Sequence, residues 1–444
     1  MGKKLGLAVV GLFIVAVIYY ITAGSSQLTE QMKAQVNTEL SSLQTEGFSV
    51  KGREITETKE HFVLSFDEPQ KIAHFLARQG VQLNVNDAEL LKGLQLGIDV
   101  NYLDDTYSAV SFDMYPVALP STIASSFVEE KDKKALAQIE QMLKKKTFLM
   151  HIAINKLGNG FKGYMKDIEE VLQGEKNVEL KMKGFTFSGD IKNNVIHSVK
   201  QALQQLTMQV PNEMLFSFNT IESDYVVTGK TLYDYTMQYS IGKMTLNTNQ
   251  KFSIAANDIV LKSISLVKDG LASGSMHSTV KQTNVSTKGK KYIFDTFVFD
   301  MNAHNLDVRA FEKLQQVDVN NEAEINALIQ TLISKGVQFE ITKLSVENIE
   351  KSTKKMGGFA LTAKVDIDKS LNISASQANP MAALSAIDAN LNITLSRELF
   401  GIVIQQPQAM MAMMLFQPKD VNGKKVYNLN LKDGKLTVNG MPVN

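Results

Sequence analysis

Residues Leu5 to Ile21 form an unbroken run with no charged side chain. A helix rises about 1.5 Å per residue and a bilayer's hydrocarbon core is about 30 Å thick, so about 20 such residues span it. Leu5, Leu7, Val9, Val10, Leu12, Phe13, Ile14, Val15, Val17, Ile18 and Ile21 leave no polar face, which fits poorly with a helix half-buried in a soluble core. Tyr19 and Tyr20 stand near the far end, where an amphipathic ring suits the headgroup level. Lys3 and Lys4 precede the run, and the first acidic residue, Glu30, follows it. Positive charge stays cytoplasmic, so the expectation is a single-pass signal anchor with its N-terminus inside and its bulk exported. A cleaved signal peptide is the alternative, because Thr22-Ala23-Gly24 offers small residues. The run is, however, longer than the apolar region of about 7–15 residues usual in such peptides.

Composition narrows what the exported part can do. Of 444 residues, 44% are hydrophobic, enough for a packed core. Lys and Arg number 47 against 46 Asp and Glu, so the basic surplus that phosphate backbones require is missing, and no nucleic-acid partner is expected. Absence of cysteine removes disulfides, thiolate chemistry and a lipoprotein linkage, and is compatible with a bacterial periplasm.

After the anchor, Leu28, Met32, Val36, Leu40 and Leu43 recur at helical spacing and predict an amphipathic stalk ending at Gly47. Its stripe must pack on the domain or on a second copy. Phe48 to Asp67 reads as extended, Pro69 to Arg78 as a helix, Leu94 to Tyr102 and Tyr107 to Tyr115 as strands, Lys131 to Lys146 as a helix, and Thr147 to Asn155 as a strand. From Lys176 the chain turns strand-rich. Tyr235, Met237, Tyr239 and Ile241 alternate with polar residues, as do Phe359, Leu361, Ala363, Val365 and Ile367. Ile259 to Val267 and Tyr292 to Met301 are more mixed and read as buried on both faces. Helices are expected at about Val195 to Gln209, Ala310 to Lys335 and Pro380 to Asn390. Near the end, Asp433-Gly434 in a two-residue hairpin puts Lys432 opposite Lys435, Leu431 opposite Leu436 and Leu429 opposite Val438.

The expected fold class is α+β: a single N-terminal transmembrane helix, then long, largely antiparallel β-sheets with short packed helices. The divisions are residues 1–26 for cytoplasmic tip and anchor, 27–46 for the stalk, 47–209 for a mixed α+β subdomain, and 210–444 for a β-rich subdomain ending in the hairpin.

Three segments taken together resemble the YdgA-like family of bacterial envelope proteins. They are the anchor after Lys3-Lys4, the stretch Val110-Ser111-Phe112-Asp113-Met114-Tyr115-Pro116-Val117-Ala118-Leu119-Pro120, and the ending Tyr427 to Pro442. The resemblance implies an inner-membrane protein with its bulk in the periplasm and transfers no catalytic residue.

Residues that could carry chemistry are sparse. His61, His74, His151, His197, His277 and His304 include no pair at metal-ligand spacing, and no metal or cofactor is expected. Ser278-Thr279-Val280-Lys281 and Ser352-Thr353-Lys354-Lys355 match a serine-x-x-lysine pattern but lack the helix and the Lys-Thr-Gly that this chemistry needs. Asp104-Asp105 fits a turn better than a calcium or proton site. Leu399 to Phe416 is unusual in holding Met410, Met411, Met413, Met414 and Phe416. Flexible methionines suit an irregular core, or a groove for an acyl chain or apolar peptide. The function expected first is therefore a non-catalytic, membrane-tethered periplasmic interaction or scaffold protein, acting on an envelope protein or on a second copy. The alternative is a protein that binds lipid or another apolar ligand in a sheet groove lined partly by the methionines.

Overall fold

A computed structural model describes residues 29–443, apart from 79–87, 104–105, 126–129, 175, 193–194, 232, 250, 315–316, 318–320, 379–382 and 407–415. The anchor, Asp104-Asp105 and Met410 to Met414 lie outside the described residues. Among the described residues, no helix is long and apolar enough to cross a membrane. The chain divides into two units, Met1–Val226 and Val227–Asn444.

In the first unit the stalk helix α1 (Thr29–Thr45) turns its stripe inward: Val36, Leu40 and Leu43 are buried in the core. Next come β1 (Phe48–Ile55), β2 (Lys59–Phe66), α2 (Pro69–Arg78), β3 (Gln95–Tyr102) and β4 (Ser108–Ala118). They are followed by α3 (Ser121–Ala124), α4 (Glu130–Lys144), β5 (Met150–Asn155) and β6 (Gly160–Met165). The unit ends with β7 (Ile168–Leu172), β8 (Val178–Lys183), β9 (Thr186–Lys192), β10 (Val195–Val210) and β11 (Met214–Val227). All pairings are antiparallel, and β1 to β6 form a meander continued by β9. One face buries alternate residues: Phe62, Leu64 and Phe66 on β2, Leu96, Ile98 and Val100 on β3, and Met150, Ile152 and Ile154 on β5. Helices α1 and α2 cover it, with Phe48 edge-on to both Phe66 (5.0 Å) and Phe75 (5.7 Å).

The expected helix at Val195 to Gln209 is wrong. This stretch is β10, sixteen residues paired on one edge with β11 and on the other with β9 and then β8. Its Gln, Leu, Ala and Met residues favour a helix weakly, and two ladders of backbone hydrogen bonds override that preference. The expected helix at Pro380 to Asn390 is cut short in the same way by a strand that begins at Ile387.

Close strand approach in this unit rests on glycine facing an aromatic ring. Gly163 lies opposite Phe187, and Gly189 opposite Phe161. A Cβ on Gly163 would sit 2.3 Å from both the His151 carbonyl oxygen and the Phe187 ring.

The second unit contains β12 (Tyr235–Thr248), β13 (Phe252–Lys268), β14 (Leu271–Thr287), β15 (Lys290–Asp307), α5 (Val308–Leu314) and α6 (Glu322–Ile333). Then come β16 (Val337–Lys351), β17 (Lys354–Lys355), β18 (Phe359–Ile367), α7 (Ile373–Ala378), β19 (Ile387–Ser396) and α8 (Arg397–Val403). The last elements are β20 (Lys419–Val421), β21 (Lys424–Lys432), β22 (Lys435–Val438) and β23 (Met441–Pro442). The main order is β12-β13-β14-β15-β16-β18-β19-β21-β22, all antiparallel. The terminal hairpin has the register its Asp-Gly turn predicts, with Leu429 opposite Val438 and Leu431 opposite Leu436.

One line crosses five of these strands. Gly242, Asp258, Lys281, Thr296 and Glu347 are passed over by the pairing at the same level. Asp258 (φ 51°) and Thr296 (φ 50°) are left-handed there. The alternation of side chains reverses phase across the line, so Phe294 and Phe297, and Val346 and Ile349, share one apolar cluster although each pair is three residues apart. From Tyr292 to Met301 both faces are at least half-buried apart from Thr296, as expected, and Val298 is buried on the face opposite Phe297 and Phe299. Ile259 to Val267 instead departs from the expectation of burial on both faces, with Ile264 at 47% and Leu266 at 56% exposure.

Gly163→Ala is expected to cost about 1–3 kcal/mol through overpacking. Gly401→Ala, in α8 with nothing within 4 Å of the new methyl, is expected to be neutral or to stabilise by up to about 1 kcal/mol. Urea unfolding of the two variants checks the contrast.

Candidate functional site

Register in the second unit gathers apolar side chains into rows. One row runs Ile241, Ile259, Val280, Phe297, Val346, Phe359, Leu395. The next runs Tyr239, Leu261, Ser278, Phe299, Leu344, Leu361, Ile393, Tyr427. A third runs Met237, Ser263, Met276, Met301, Ile341, Ala363, Leu391, Leu429, Val438. None of these residues is charged. Strands of 17 or 18 residues at about 3.3 Å each make the sheet roughly 55–60 Å long.

The opposite face is more polar, although Val260, Ile264, Leu266 and the buried Val298 also lie on it. It carries the row Gln238, Lys262, His277, Asp300, Lys343, with His277 Nδ1 bonded to Asp300. A second row is knitted by Gln282 Nε2 donating to Asp295 (3.0 Å) and Asn348 Nδ2 donating to the same carboxylate (3.2 Å), and these bonds hold Asp295 below the usual carboxylate range. A sheet with one polar face is solvated there and needs a cover on the other.

Among the described residues α6 packs against β15, and a second helix covers part of the apolar face. Helix α8 starts at Ser396, whose Oγ accepts from Leu399 N at 3.2 Å, and lays Leu399 and Ile402 on the cluster of Val346, Ile349, Phe294, Phe297 and Phe359. Elsewhere most of the face is half-buried, and Phe339 is 38% exposed. Burial raises the phenol pKa of both Tyr239 and Tyr427 on this face. Of the methionine-rich segment only Phe416 is described, and it is half-buried. The rest of the apolar site expected at 410–416 lies outside the described residues. The larger apolar surface comes from the alternating strands themselves, and the signal for it was the period of two in 359–367 and 235–241.

In the first unit, the face opposite the core carries a cross-strand row: His61, Asp99, Asp113, His151, Tyr164. Two carboxylates facing each other directly are destabilising unless neutralised. Here His61 Nδ1 lies 2.6 Å from Asp99 and His151 Nδ1 lies 2.7 Å from Asp113. Lys146 Nζ donates to Asp99 (2.8 Å) while lying 3.8 Å above the Tyr115 ring, and Tyr115 also donates to Asp99 (3.2 Å). Burial pushes the Asp99 pKa up, but the bonds from Lys146, His61 and Tyr115 outweigh it and the net shift is downward. His151 stacks on Tyr164 at 5.0 Å. Each histidine meets its aspartate 38 residues away, which hides the pairing from any local motif. Among the described residues, no three His, Asp or Glu side chains converge to hold a metal. Ser278 lies inside β14, away from any helix start. The row is a satisfied hydrogen-bond ladder whose evident work is to hold the sheet.

Asp99→Asn is expected to destabilise by about 1–3 kcal/mol by weakening the Lys146 bond. A carboxylate with a lowered folded-state pKa stabilises fully above its unfolded value of about 3.9, and the contribution fades as pH falls through the lower folded value. The variant should therefore lose less stability than wild type between neutral pH and about pH 3. Urea midpoints measured across that range check this.

No curated protein and no solved structure matches the chain. A family model does, over residues 118–444, and its description is a bacterial protein of unknown function. With nearly three quarters of its length matched, the chain belongs to that bacterial family, DUF945.

Proposed function

We propose that this protein is a non-catalytic lipid-binding protein of the bacterial cell envelope, tethered by Leu5–Ile21 to the inner membrane with its bulk in the periplasm. The observation that carries the proposal is the charge-free, half-buried face formed by the rows through Ile241, Tyr239 and Met237. Apolar surface of such extent, rimmed by polar residues, marks a binding site. A lipid's acyl chain spans about half the 30 Å hydrocarbon core, so the face offers room for more than one. Its lack of charge, with hydroxyls only at Tyr239, Tyr427, Ser263 and Ser278 in these rows, favours an acyl chain over a peptide, most of whose backbone N–H and C=O groups would go unpaired there. The resemblance to the YdgA-like envelope proteins supports the compartment.

The scaffold reading, with self-association through the stalk, is weaker. The stripe it would use is already spent on the first unit's own core at Val36, Leu40 and Leu43. An envelope protein partner at another surface remains compatible with lipid binding.

Native mass spectrometry of the full chain should show retained phospholipid. Phe299→Glu plus Leu361→Glu should cut the lipid-bound fraction about tenfold, since burying two charges beside an acyl chain costs well over 1.4 kcal/mol. Lys262→Glu, on the polar face, should leave it unchanged. Equal retention by the double variant, with circular dichroism intact, would sink the reading. Fusions of a periplasm-active reporter just past Glu30 should be active, and inactive fusions would overturn the compartment.

A further inference from the structure

Three neighbouring hairpin tips of the second unit carry an excess of lysine. The β12–β13 tip holds Lys251, the β14–β15 tip holds Lys288, Lys290 and Lys291, and the β16–β17 tip holds Lys351, Lys354 and Lys355. Register places all three at one end of the sheet: Phe252 faces Thr287, and Tyr292 faces Lys351. Backbone hydrogen bonds tie them together, from Lys288 N to Lys251 O (3.2 Å) and from Ser352 N to Lys291 O (2.7 Å). All seven lysines are exposed, and among the described residues none has a carboxylate within ion-pairing distance. Glu350 is the one acid on these tips, against seven cations. The other end of the sheet mixes signs, with Lys268 beside Asp269, Asp368 beside Lys369, and Lys432 beside Asp433. In a chain of net charge +1, this is a local concentration of positive charge, offset only at Lys355, which faces Glu350 across the strand pair and acts on the Asp295 carboxylate.

What lies behind the lysines tells which anion suits them. Phe252 and Tyr292 belong to the first turns of their strands and continue into the apolar rows, next to Ile254 and Val285. Cationic heads in front of aromatic rings, which themselves front an apolar surface, match the layering of a bilayer interface: anionic headgroup, boundary, acyl chain. Nucleic acid would call for exposed stacking platforms between the cations, and Phe252 and Tyr292 are half-buried.

We propose that these three hairpin tips dock the second unit onto an anionic lipid bilayer, setting one end of the apolar face against the headgroups. The inference deepens the lipid-binding reading and rests on it for its purpose. Docking would let an acyl chain pass between bilayer and sheet without crossing water.

The test uses the full chain held in neutral phosphatidylcholine nanodiscs, so that Leu5–Ile21 is occupied, mixed with separate vesicles and floated on a density gradient. Vesicles containing phosphatidylglycerol should carry about tenfold more protein than pure phosphatidylcholine vesicles. The difference should vanish in about 1 M salt, where the Debye length shrinks to about 3 Å. K288E/K290E/K291E should float at the phosphatidylcholine level, and K288Q/K290Q/K291Q in between, both with unchanged circular dichroism. Equal flotation with both vesicle types, or wild-type flotation by the charge-reversed variant, overturns the proposal. So does full competition at constant ionic strength by inorganic phosphate, which would mark a soluble-anion site, or by an oligonucleotide. Native mass spectra separate the two readings. If the Phe299→Glu plus Leu361→Glu chain still floats but no chain retains lipid, acyl binding fails and docking stands.

Discussion

Backbone pairing is the constraint from which the second unit follows. A strand of 17 residues presents a donor and an acceptor at nearly every position, and each must find a partner. Long neighbours in strict antiparallel register meet that demand, and register then decides which side chains share a face. The two-faced character of the sheet, apolar through Phe299 and Leu361 and polar through Asp300 and Asn392, is thus a product of the ladder as much as of composition. The same logic explains why the line through Asp258 and Thr296 spans several strands. A phase reversal in one strand alone would turn half of its apolar residues to the wrong face, so its neighbours reverse at the same level.

The first unit solves the same problem with a conventional cover. Helices α1 and α2 bury one face, and the other is stabilised by the ladder from His61 to Tyr164. The placement of α1 bears directly on function. Val36, Leu40 and Leu43 are spent on this unit's own core. Thr29–Thr45 is thereby part of a folded body.

Much of this was readable in the sequence where local chemistry decides structure. The Asp433-Gly434 turn set its hairpin's register, helical spacing marked α1, and alternation marked β18. Reading failed where distant residues decide. Val195 to Gln209 looks helical because its residues tolerate a helix, and only the partners from Val178 to Lys192 and from Met214 onward make it a strand. Tyr292 to Met301 departs from a period of two because a single left-handed residue, Thr296, shifts the alternation. The apolar face and the aspartate–histidine row are properties of register, and no window of sequence contains them. The methionine cluster drew notice as an oddity of composition, while the broader apolar surface was spread thinly over nine strands.

Spreading that surface thinly has a consequence for how the chain is handled as it is made. Leucine, isoleucine and phenylalanine at every second position, with lysine, asparagine and threonine between them, leave each strand's linear hydrophobicity modest. Any device that weighs consecutive residues for insertion into lipid, as membrane-insertion machinery does over about 19 residues at a time, meets polar residues throughout each of these strands. The surface becomes apolar only when hydrogen bonding aligns the strands. A chain built this way can be sorted as though it were water-soluble and acquire a greasy face afterwards, on folding.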